Sequence, residues 1–372
     1  MRIGFYCIGE IEDSQLAFAV IAATWKGQWV FVKHKERETW EIPGGHREEN
    51  EAIDLTASRE LYEETGAVSY RMEPVCDYSV TREGEAPSYG RLFSSEIKEL
   101  GELPESEIHE VRRMKRLPNR LTYPQIQPEL YKRVLEYLGQ KALQCLEKDK
   151  ARNINIMNFM KSYPIDTVSR EGESVLVRGK SDEDWVYISS ESPQEFQALI
   201  EGLDEEDTCF AVLEDWMLSA IVGDREIRSQ LTSMKLVFDE TVPLPDNRHD
   251  CVPLVVSDAS HIYENSKYKE YTSIEYIEER IVKGVGYGIR EEGRLVAWAL
   301  THDDGAMGFL HVLEEYRERG YARDISVVMI RRLLEMGEVP YVHIEEDNER
   351  SMNLALKTGF RKDRRIHWIK LK

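Results

Sequence analysis

Short apolar runs separated by turn residues mark the first third of the chain. Residues 16–24 and 29–33 are rich in apolar, β-branched and aromatic side chains and are predicted to be strands joined by a turn at Lys26 and Gly27. Residues 70–81 and 89–97 have the same character. Residues 124–138 instead carry apolar side chains at helical spacing. These elements predict a mixed α/β domain over residues 1–140.

The rest of the chain is predicted to contain a linker and two further regions. Residues 141–153 are polar and charged and form the predicted linker, which we expect to be helical. Residues 154–245 form a second region with no catalytic constellation. In that region we expect strands at 173–177 and 185–189, a helix at 193–200 and another apolar element at 217–222. Prolines punctuate residues 243–253 as a further linker.

Residues 246–372 again alternate between strand and helix patterns. The pattern predicts helices at 273–282, 322–336 and 351–358, and strands at 286–290, 294–301, 307–313, 341–344 and 368–371. The first two of these strands are predicted to form a hairpin around Glu291, Glu292 and Gly293.

Composition narrows the class of protein. A chain of 372 residues exceeds the size at which one core keeps growing, so several domains are expected. The net charge of -20 argues against a nucleic-acid polymer as partner. The N-terminus lacks a signal-peptide layout, and the apolar run at 16–23 is too short to span a membrane. Five scattered cysteines without a C-x-x-C pair favour a reduced, cytoplasmic protein.

Three glutamates stand out within the first region. Glu60, Glu63 and Glu64 have the i, i+3, i+4 spacing that places side chains on one helical face. Like charges so placed repel each other by about 0.2–0.5 kcal/mol per pair unless cations occupy the face. Carboxylate oxygens are ligands that Mg²⁺ prefers, and its remaining ligands are usually water and substrate phosphate. The alternative is a solvated acidic helix with a surface pair between Arg59 and Glu63.

The segment around these glutamates resembles the Nudix box. Residues 45–67 follow G-x5-E-x7-R-E-U-x-E-E-x-G-U, where U is apolar, with identities at Gly45, Glu51, Arg59, Glu60, Glu63, Glu64 and Gly66. A chance match has a probability of roughly one in a hundred million per start position. The resemblance to Nudix hydrolases implies an α/β/α sandwich. It also implies Mg²⁺ or Mn²⁺ ligands at Glu60, Glu63, Glu64 and Gly45, and supporting catalytic roles for Glu51 and Arg59.

The resemblance also suggests a reaction. The stretches around Trp40 and Tyr123 are similar to the branch that hydrolyses 8-oxo-dGTP or other nucleoside triphosphates to a monophosphate and pyrophosphate. A general base outside the box is common in that family. Glu107 and Glu110 are candidates, although residues 102–110 are so acidic that a solvated loop is the ordinary interpretation.

A second candidate site follows the predicted strand at 307–313. Arg317-x-x-Gly320-x-Ala322 precedes a helix, where free backbone N–H groups and the helix dipole favour an anion. Small residues let a phosphate approach the main chain. A basic loop that simply precedes a helix is the alternative.

This loop, with Asn348-x-x-Ser351 and Gly359-Phe360 after it, resembles the R/Q-x-x-G-x-G/A and N-x-x-S…G-F segments of GNAT acetyltransferases. The resemblance covers residues 259–372 and implies a GNAT fold with acetyl-CoA as cosubstrate. The implied CoA-binding residues are Val312, Leu313, Arg317, Arg319, Gly320, Tyr321, Ala322, Arg323 and Asn348. Residues 154–245 could be a degenerate half of the same fold, as in glycine N-acyltransferase-like proteins.

One position departs from the GNAT pattern. Ala355 stands where many members carry a tyrosine that protonates the leaving thiolate of CoA. His311 and Glu314 are candidate general bases, and a packed strand histidine and a solvated carboxylate are equally good interpretations of them.

We therefore expect a bifunctional enzyme, a metal-dependent nucleotide hydrolase joined to an N-acetyltransferase, with nucleotide and acyl-CoA ligands. In the main alternative, a non-catalytic CoA-binding module regulates the hydrolase. A nonenzymatic nucleotide sensor and a hydrolase of CoA itself are two further alternatives. The nucleotide, the acyl acceptor and the oligomeric state are left open.

Overall fold

The computed structural model describes residues 1–266, 269 and 272–372. Its strands and helices, in chain order, are β1 (Arg2–Tyr6), β2 (Leu16–Trp25), β3 (Gln28–His34), β4 (Gly44–His46), α1 (Ile53–Thr65), β5 (Ala67–Thr81), β6 (Ser88–Leu100), β7 (Ile108–Met114), α2 (Gln127–Leu146), α3 (Lys150–Ser162), β8 (Ile165–Glu171), β9 (Ser174–Lys180), β10 (Asp184–Ser189), α4 (Pro193–Ile200), β11 (Cys209–Leu213), α5 (Leu218–Val222), β12 (Ile227–Phe238), β13 (Val252–Pro253), α6 (Ala259–Glu264), α7 (Ile274–Lys283), β14 (Gly286–Glu291), β15 (Arg294–Thr301), β16 (Met307–Val312), α8 (Tyr321–Glu335), β17 (Tyr341–Ile344), α9 (Glu349–Thr358) and β18 (Phe360–Leu371). The mixed α/β class predicted from the sequence is confirmed.

The chain divides into two compact units. The first comprises residues 1–145, 165–178 and 190–206, and the second comprises residues 146–164, 179–189 and 207–372. This division interleaves the middle of the chain between the units, whereas the sequence analysis placed residues 154–245 in one region. The predicted domain boundaries stay a prediction.

Two helices cover opposite faces of the sheet in the first unit, whose main strand order is β1-β5-β6-β2-β3-β7, with β4 paired to β2. Ile21 and Ala23 of β2 pack in one core with Leu61 of α1, whereas Ala22 packs in another with Val134 of α2. Successive side chains of a strand point to opposite faces, so alternate residues of β2 serve the two cores. The result is an α/β/α sandwich.

The strand β8, most of β9 and the helix α4 also belong to the first unit. The indole Nε1 of Trp29 donates a 2.7 Å hydrogen bond to the carbonyl oxygen of Asp166 at the start of β8. Arg116 donates two hydrogen bonds, of 2.6 and 2.7 Å, to the Asp166 carboxylate. This bidentate pair fixes both the position and the orientation of β8.

The second unit is built around a long twisted sheet. Its strands follow the order β13-β14-β15-β16-β17-β12-β18-β11-β10, in which β18 pairs antiparallel with both β12 and β11. Trp298 and Leu300 of β15 pack in one core with Ile325 and Met329 of α8. This core supports the helix whose N-terminus was predicted to bind phosphate.

Most predicted elements are present, and the strands that were not predicted are β1, β4, β7, β8, β11, β12 and β13. The strand β18 is also longer than predicted, because its first half, F-R-K-D-R-R, reads as polar loop. The strand β12 alternates weakly, since Ser229, Gln230 and Thr232 interrupt its apolar residues. The pairing of β12 with β18 stabilises two segments that neither pattern predicts alone.

The predicted linker at 141–153 is helical throughout most of its length. It contains the end of α2, a 3-10 turn at Glu147–Asp149 and the start of α3, which Asp149 caps through a 3.0 Å bond from the Arg152 N–H. Ala142 and Leu146 are buried.

Among the described residues, no helix is both long and apolar enough to cross a membrane.

A buried cross-strand ion pair in the first unit provides a test of the fold. Arg91 of β6 bonds both oxygens of Asp77 of β5, at 2.7 and 3.2 Å, and the Asp77 side chain is fully buried. Replacing Arg91 with Ala leaves an unpaired buried carboxylate, so we expect the free energy of unfolding to fall by about 3–5 kcal/mol. Urea unfolding measures this change.

The control is Arg82→Ala, which removes an exposed guanidinium from the neighbouring turn. We expect its free energy of unfolding to change by no more than about 0.5 kcal/mol. Equal effects of the two substitutions would contradict a structural role for the buried pair.

Candidate functional site

The acidic helix α1 presents its apolar side to the core and its carboxylates to the β4 segment. Ile53, Ala57 and Leu61 are buried. The helix ends at Gly66, whose left-handed φ of 75° at the C-terminal cap suits glycine. The predicted placement of α1 and its glycine cap is thus observed.

Arg59 lies at the centre of a carboxylate network. Its Nε and Nη2 each donate a 2.9 Å hydrogen bond to Glu51, and its Nη1 donates to Glu60 at 2.8 Å and to Glu63 at 3.1 Å. The guanidinium holds the pKa of Glu51 down to about 2, with help from the Thr56 hydroxyl. Glu51 is therefore an anchor for Arg59 and remains ionised.

Two of the three glutamates predicted to bind metal lie against the glycine loop. Glu64 accepts a 2.8 Å hydrogen bond from the backbone N–H of Gly44. A Cβ on Gly45 would stand 2.2 Å from Oε1 of Glu60, so only glycine leaves room for this carboxylate. Burial raises the pKa of Glu60, and burial with the charge of Glu60 and other carboxylates raises the pKa of Glu64 to about 8.

These residues fit a divalent cation in chemistry and in charge. Glu64 is half-buried and receives a single backbone hydrogen bond, and a partly desolvated carboxylate without a cation is costly. Within the described part of the chain, no three His, Cys, Asp or Glu side chains already converge as a complete metal site. Glu63 is half-exposed and pairs with Arg59. Water, substrate oxygens or a turned Glu63 would complete the shell.

The two candidate bases of this site differ in position. The Glu107 charge contributes slightly to the raised pKa of Glu64, and its exposed carboxylate contacts His34 Nε2 at 3.0 Å. Glu110 lies in β7, not in the expected loop, and forms a 2.6 Å ion pair with Lys33. Glu41 also raises the pKa of Glu64 and was missed, because a glutamate in a short strand carries no distinguishing pattern.

A cavity of about 850 Å³ forms the second candidate site. Phe309 has a left-handed φ of 52° where the pairing of β16 with β15 shifts register, which is the geometry of a β-bulge. The parallel strands β16 and β17 pair at Met307 and Val342, and further residues of both strands line the cavity. The bulge therefore accompanies an opening between two neighbouring strands.

The N-terminus of α8 faces this cavity. Gly320 precedes the helix with a left-handed φ of 90°, and no side chain caps its N–H groups. Seven of the predicted CoA-binding residues line the cavity: Val312, Arg317, Gly320, Tyr321, Ala322, Arg323 and Asn348. Leu313 is instead buried in the core, and Arg319 lies over the Tyr316 ring at 5.0 Å. An uncapped helix N-terminus beside a cavity is suited to an anionic group.

The remaining predicted positions of this site separate into two groups. Asn348 caps α9 by accepting a 3.1 Å hydrogen bond from the Ser351 N–H, and Ala355 is buried in the cavity wall. His311 also lines the cavity and stacks on Trp298 with ring centroids 4.8 Å apart. Glu314 is exposed and does not line the cavity, but it pairs at 3.5 Å with Arg317, which does.

The two candidate sites lie in regions that match two different family models. Residues 13–134 match the family model described as NUDIX domain, and residues 284–369 match the model described as FR47-like protein. The chain joins a NUDIX domain to a GNAT-like domain. The recognition made from the two motifs is confirmed.

Two curated proteins are similar to parts of the chain. ADP-ribose pyrophosphatase of Bacillus subtilis (strain 168) is 36% identical over 110 residues, which cover 27% of this chain and 59% of that protein. Glycine N-acyltransferase-like protein 2 of Homo sapiens is 26% identical over 184 residues, covering 47% of this chain and 62% of that protein. The chain thus spans about three fifths of each relative's length.

A solved structure shares the fold of a larger part of the chain. The X-ray structure of a Drosophila protein superposes with a TM-score of 0.54 at 18% identity, covering 63% of this chain and 96% of that chain. At this identity, the likeness concerns the fold alone.

The GNAT-like domain contains a histidine that the sequence analysis missed. His249 Nδ1 lies 2.7 Å from the Asp324 carboxylate, and its ring meets Tyr321 edge-on at 4.6 Å. Burial alone would raise the pKa of Asp324, but hydrogen bonds from His249 and from the backbone hold it below its ordinary value. This pair lies beside Gly320, and the polar segment around His249 gave no signal of it.

The pKa of Glu64 predicts how the stability of the NUDIX domain depends on pH. Between 4.5 and about 8 the unfolded chain releases the Glu64 proton while the folded domain retains it, so stability falls as pH rises. In chelator-treated protein, Glu64→Gln removes this loss. We expect the free energy of unfolding of Glu64→Gln to exceed that of the wild type by roughly 2–5 kcal/mol at pH 8 and by little at pH 4.5.

Thermal and urea unfolding at a series of pH values measure the difference. Glu49→Gln, an exposed carboxylate in the preceding turn, is the control and should follow the wild type. Added Mg²⁺ should restore the stability of the wild type at pH 8 and leave the stability of Glu64→Gln unchanged. A pH-independent difference would count against a buried, uncompensated carboxylate.

Proposed function

We propose that the chain is a bifunctional enzyme. Its NUDIX domain hydrolyses a nucleoside diphosphate-linked substrate with Mg²⁺ or Mn²⁺, and its GNAT-like domain transfers an acetyl group from acetyl-CoA to an amine. One observation carries the first activity, namely that Glu60 and Glu64 converge on the Gly44-Gly45 loop without a protein cation to match Glu64.

The charged residues of the NUDIX site have separate roles in the proposed hydrolysis. Glu60 and Glu64 would hold the cation, and Glu63 would join them by leaving Arg59. The bound cation screens the diphosphate and lowers the pKa of an attacking water. Glu51 keeps Arg59 oriented, and Arg59 in turn fixes Glu60. Of the two candidate bases, Glu107 is favoured, because its charge acts on Glu64 whereas Glu110 is engaged by Lys33.

Two nucleotide classes are candidates for the substrate. The similarity of the segments around Trp40 and Tyr123 favours a nucleoside triphosphate of the 8-oxo-dGTP kind. The name of the Bacillus subtilis relative favours ADP-ribose. Both contain the phosphoanhydride that the carboxylate cluster suits. Parallel assays with 8-oxo-dGTP and ADP-ribose therefore separate the two.

The GNAT-like domain offers its cavity and the N-terminus of α8 to acetyl-CoA. Gly320 and Ala322 leave the backbone N–H groups open to a pyrophosphate, while Arg317 and Arg323 line the same cavity. In the transfer, the amine nitrogen attacks the thioester carbonyl, the C–N bond forms and the C–S bond breaks. The nitrogen loses a proton and the sulfur gains one, and His311 is the candidate base.

The specific alternative is a CoA-binding module that regulates the hydrolase without acyl transfer. Ala355 favours it, because this position in the cavity wall offers no proton for the departing sulfur. The two proposals differ in one measurement. Release of free CoA in the presence of amines supports transfer, whereas a change in hydrolysis with CoA intact supports regulation.

Glu60→Gln tests the hydrolase. The neutral amide is a poor ligand for a hard cation, so we expect kcat for nucleotide hydrolysis to fall at least about 100-fold. Product release is measured by chromatography over a range of Mg²⁺ concentrations. Glu49→Gln is the matched control, since it removes a nearby exposed carboxylate and should retain activity. Unchanged hydrolysis of every nucleotide by Glu60→Gln would reject the assignment.

Gly320→Glu tests the CoA site. A carboxylate at the helix N-terminus should repel the pyrophosphate and strain a left-handed backbone position, so we expect the Kd for acetyl-CoA to rise at least about tenfold. Gly337→Glu is the control, because Gly337 follows the other end of α8 with a similar φ of 75°. Calorimetry should show no difference between Gly337→Glu and the wild type. If Gly320→Glu and Gly337→Glu lose the same affinity for acetyl-CoA, the loss is due to backbone strain rather than to a phosphate site.

A further inference from the structure

Part of the cavity wall in the GNAT-like domain is acidic and contains none of the predicted CoA-binding residues. Three aspartates line it, and they are called the acidic wall here: Asp182, Asp303 and Asp304. Asp304 is 2% exposed, and it is held by Asn155 at 2.7 Å and by the Ala306 N–H at 3.0 Å. Asp303 and Asp182 present the other two carboxylates to the cavity.

The hydrogen bonds of Asp303 come from neutral donors. Ser181 Oγ donates at 2.5 Å, Tyr276 OH at 3.3 Å and the Asp304 N–H at 3.1 Å. Asp182 accepts from neutral donors as well, including Trp185 Nε1 at 2.9 Å. Burial and the charge of Asp304 raise the pKa of Asp303 to about 7. The wall thus holds negative charge that hydrogen bonds alone do not neutralise.

The nearby cations are engaged elsewhere. Arg280 is buried and donates to the hydroxyl of Tyr163, and Lys370 pairs with Glu183 at 2.7 Å. Lys235 donates to the carbonyl oxygens of Ala151 and Arg152. In the described ranges of the chain, no lysine or arginine nitrogen lies within 4 Å of the Asp182 or Asp303 carboxylate.

Aromatic rings line the cavity beside the acidic wall. Trp185, Tyr187, Tyr276 and Phe309 contribute to its lining, and Tyr276 and Phe309 lie with ring centroids 6.3 Å apart. The imidazole of His302 stacks near Phe309 at 4.7 Å and makes no hydrogen bond to any described residue. Burial lowers the pKa of His302, so this imidazole is neutral. Carboxylates among aromatic faces form a site for an organic cation.

We propose that the acidic wall binds the ammonium group of a cationic amine, so that the acyl acceptor is a diamine or polyamine. This inference rests on the proposed transferase activity and names its acceptor class. A second amino group on the same molecule, deprotonated, attacks the thioester as described above. An amino acid is disfavoured, because its carboxylate would be repelled by the carboxylates of Asp303 and Asp182.

The test compares acceptors of different charge with the full-length chain and acetyl-CoA. Release of the CoA thiol is followed with 1,4-diaminobutane, spermidine, n-butylamine and glycine. We expect kcat/KM for the two multiply charged amines to exceed that for n-butylamine and glycine by at least about tenfold. A preference for glycine or n-butylamine overturns the proposal while leaving the transferase activity in place.

Asp303→Asn links the preference to the wall. Its amide preserves the shape of the side chain and removes the charge, so KM for 1,4-diaminobutane should rise about tenfold or more while KM for n-butylamine changes less than about threefold. Asp182→Asn, at an exposed position, repeats the test if Asp303→Asn does not fold. Asp224→Asn is the control, since it removes an exposed carboxylate outside the cavity lining.

Binding measurements separate this proposal from the transferase assignment. Acetyl-CoA should bind Asp303→Asn and the wild type equally in calorimetry, and 1,4-diaminobutane should bind the wild type more tightly. Equal diamine affinity of the two proteins rejects the acidic wall as a cation site, even when no transfer is detected. If the wild type does not bind acetyl-CoA, this result instead counts against the CoA site itself.

Discussion

Carboxylate charge held away from water is the constraint on which both sites depend. In the NUDIX domain, Glu60 and Glu64 are pressed against a glycine loop that has room for nothing larger than a hydrogen at Gly45. In the GNAT-like domain, Asp303 is bound by a serine, a tyrosine and a backbone N–H. Ionised carboxylates are costly to desolvate unless they are paired. This cost is the reason for proposing that both carboxylate clusters bind positively charged ligands.

Arginine shows how the first site tolerates this charge. Arg59 bonds Glu51, Glu60 and Glu63 at once, whereas Glu64 is beyond its reach and has the strongly raised pKa. A guanidinium spreads its charge over a planar group with several donors, which allows one residue to organise three carboxylates. The remaining uncompensated charge is concentrated at Glu64, next to the loop that a phosphate would approach.

Backbone geometry determines the second site more than side-chain identity does. The bulge at Phe309 accompanies the opening between β16 and β17, and Gly320 begins α8 in a left-handed conformation that leaves its N–H groups free. Both features lie on the strand and helix that pack through Trp298 and Ile325 in one apolar core. The side chains around the cavity, including Ala355, can therefore vary while the apolar core keeps its structure.

The sequence alone determined both family resemblances, because local spacing carries them. The carboxylates of α1 share a helical face by periodicity, and the Arg317-x-x-Gly320-x-Ala322 loop precedes a helix by pattern. The sequence also predicted most strands and helices, including α4 and the hairpin of β2 and β3. It missed β12 and the first half of β18, which are partly polar and are stabilised by pairing with each other.

Only the tertiary structure decided which charged residues meet. Asp182, Asp303 and His249 read as ordinary turn and loop residues in the sequence, since no short-range pattern distinguishes them. Asp182 and Asp303 are 121 positions apart and line one cavity, while Glu107 and Glu110, three positions apart, have different partners. Spacing along a helix is fixed by local geometry, but contacts between distant segments depend on how strands pair and cores pack.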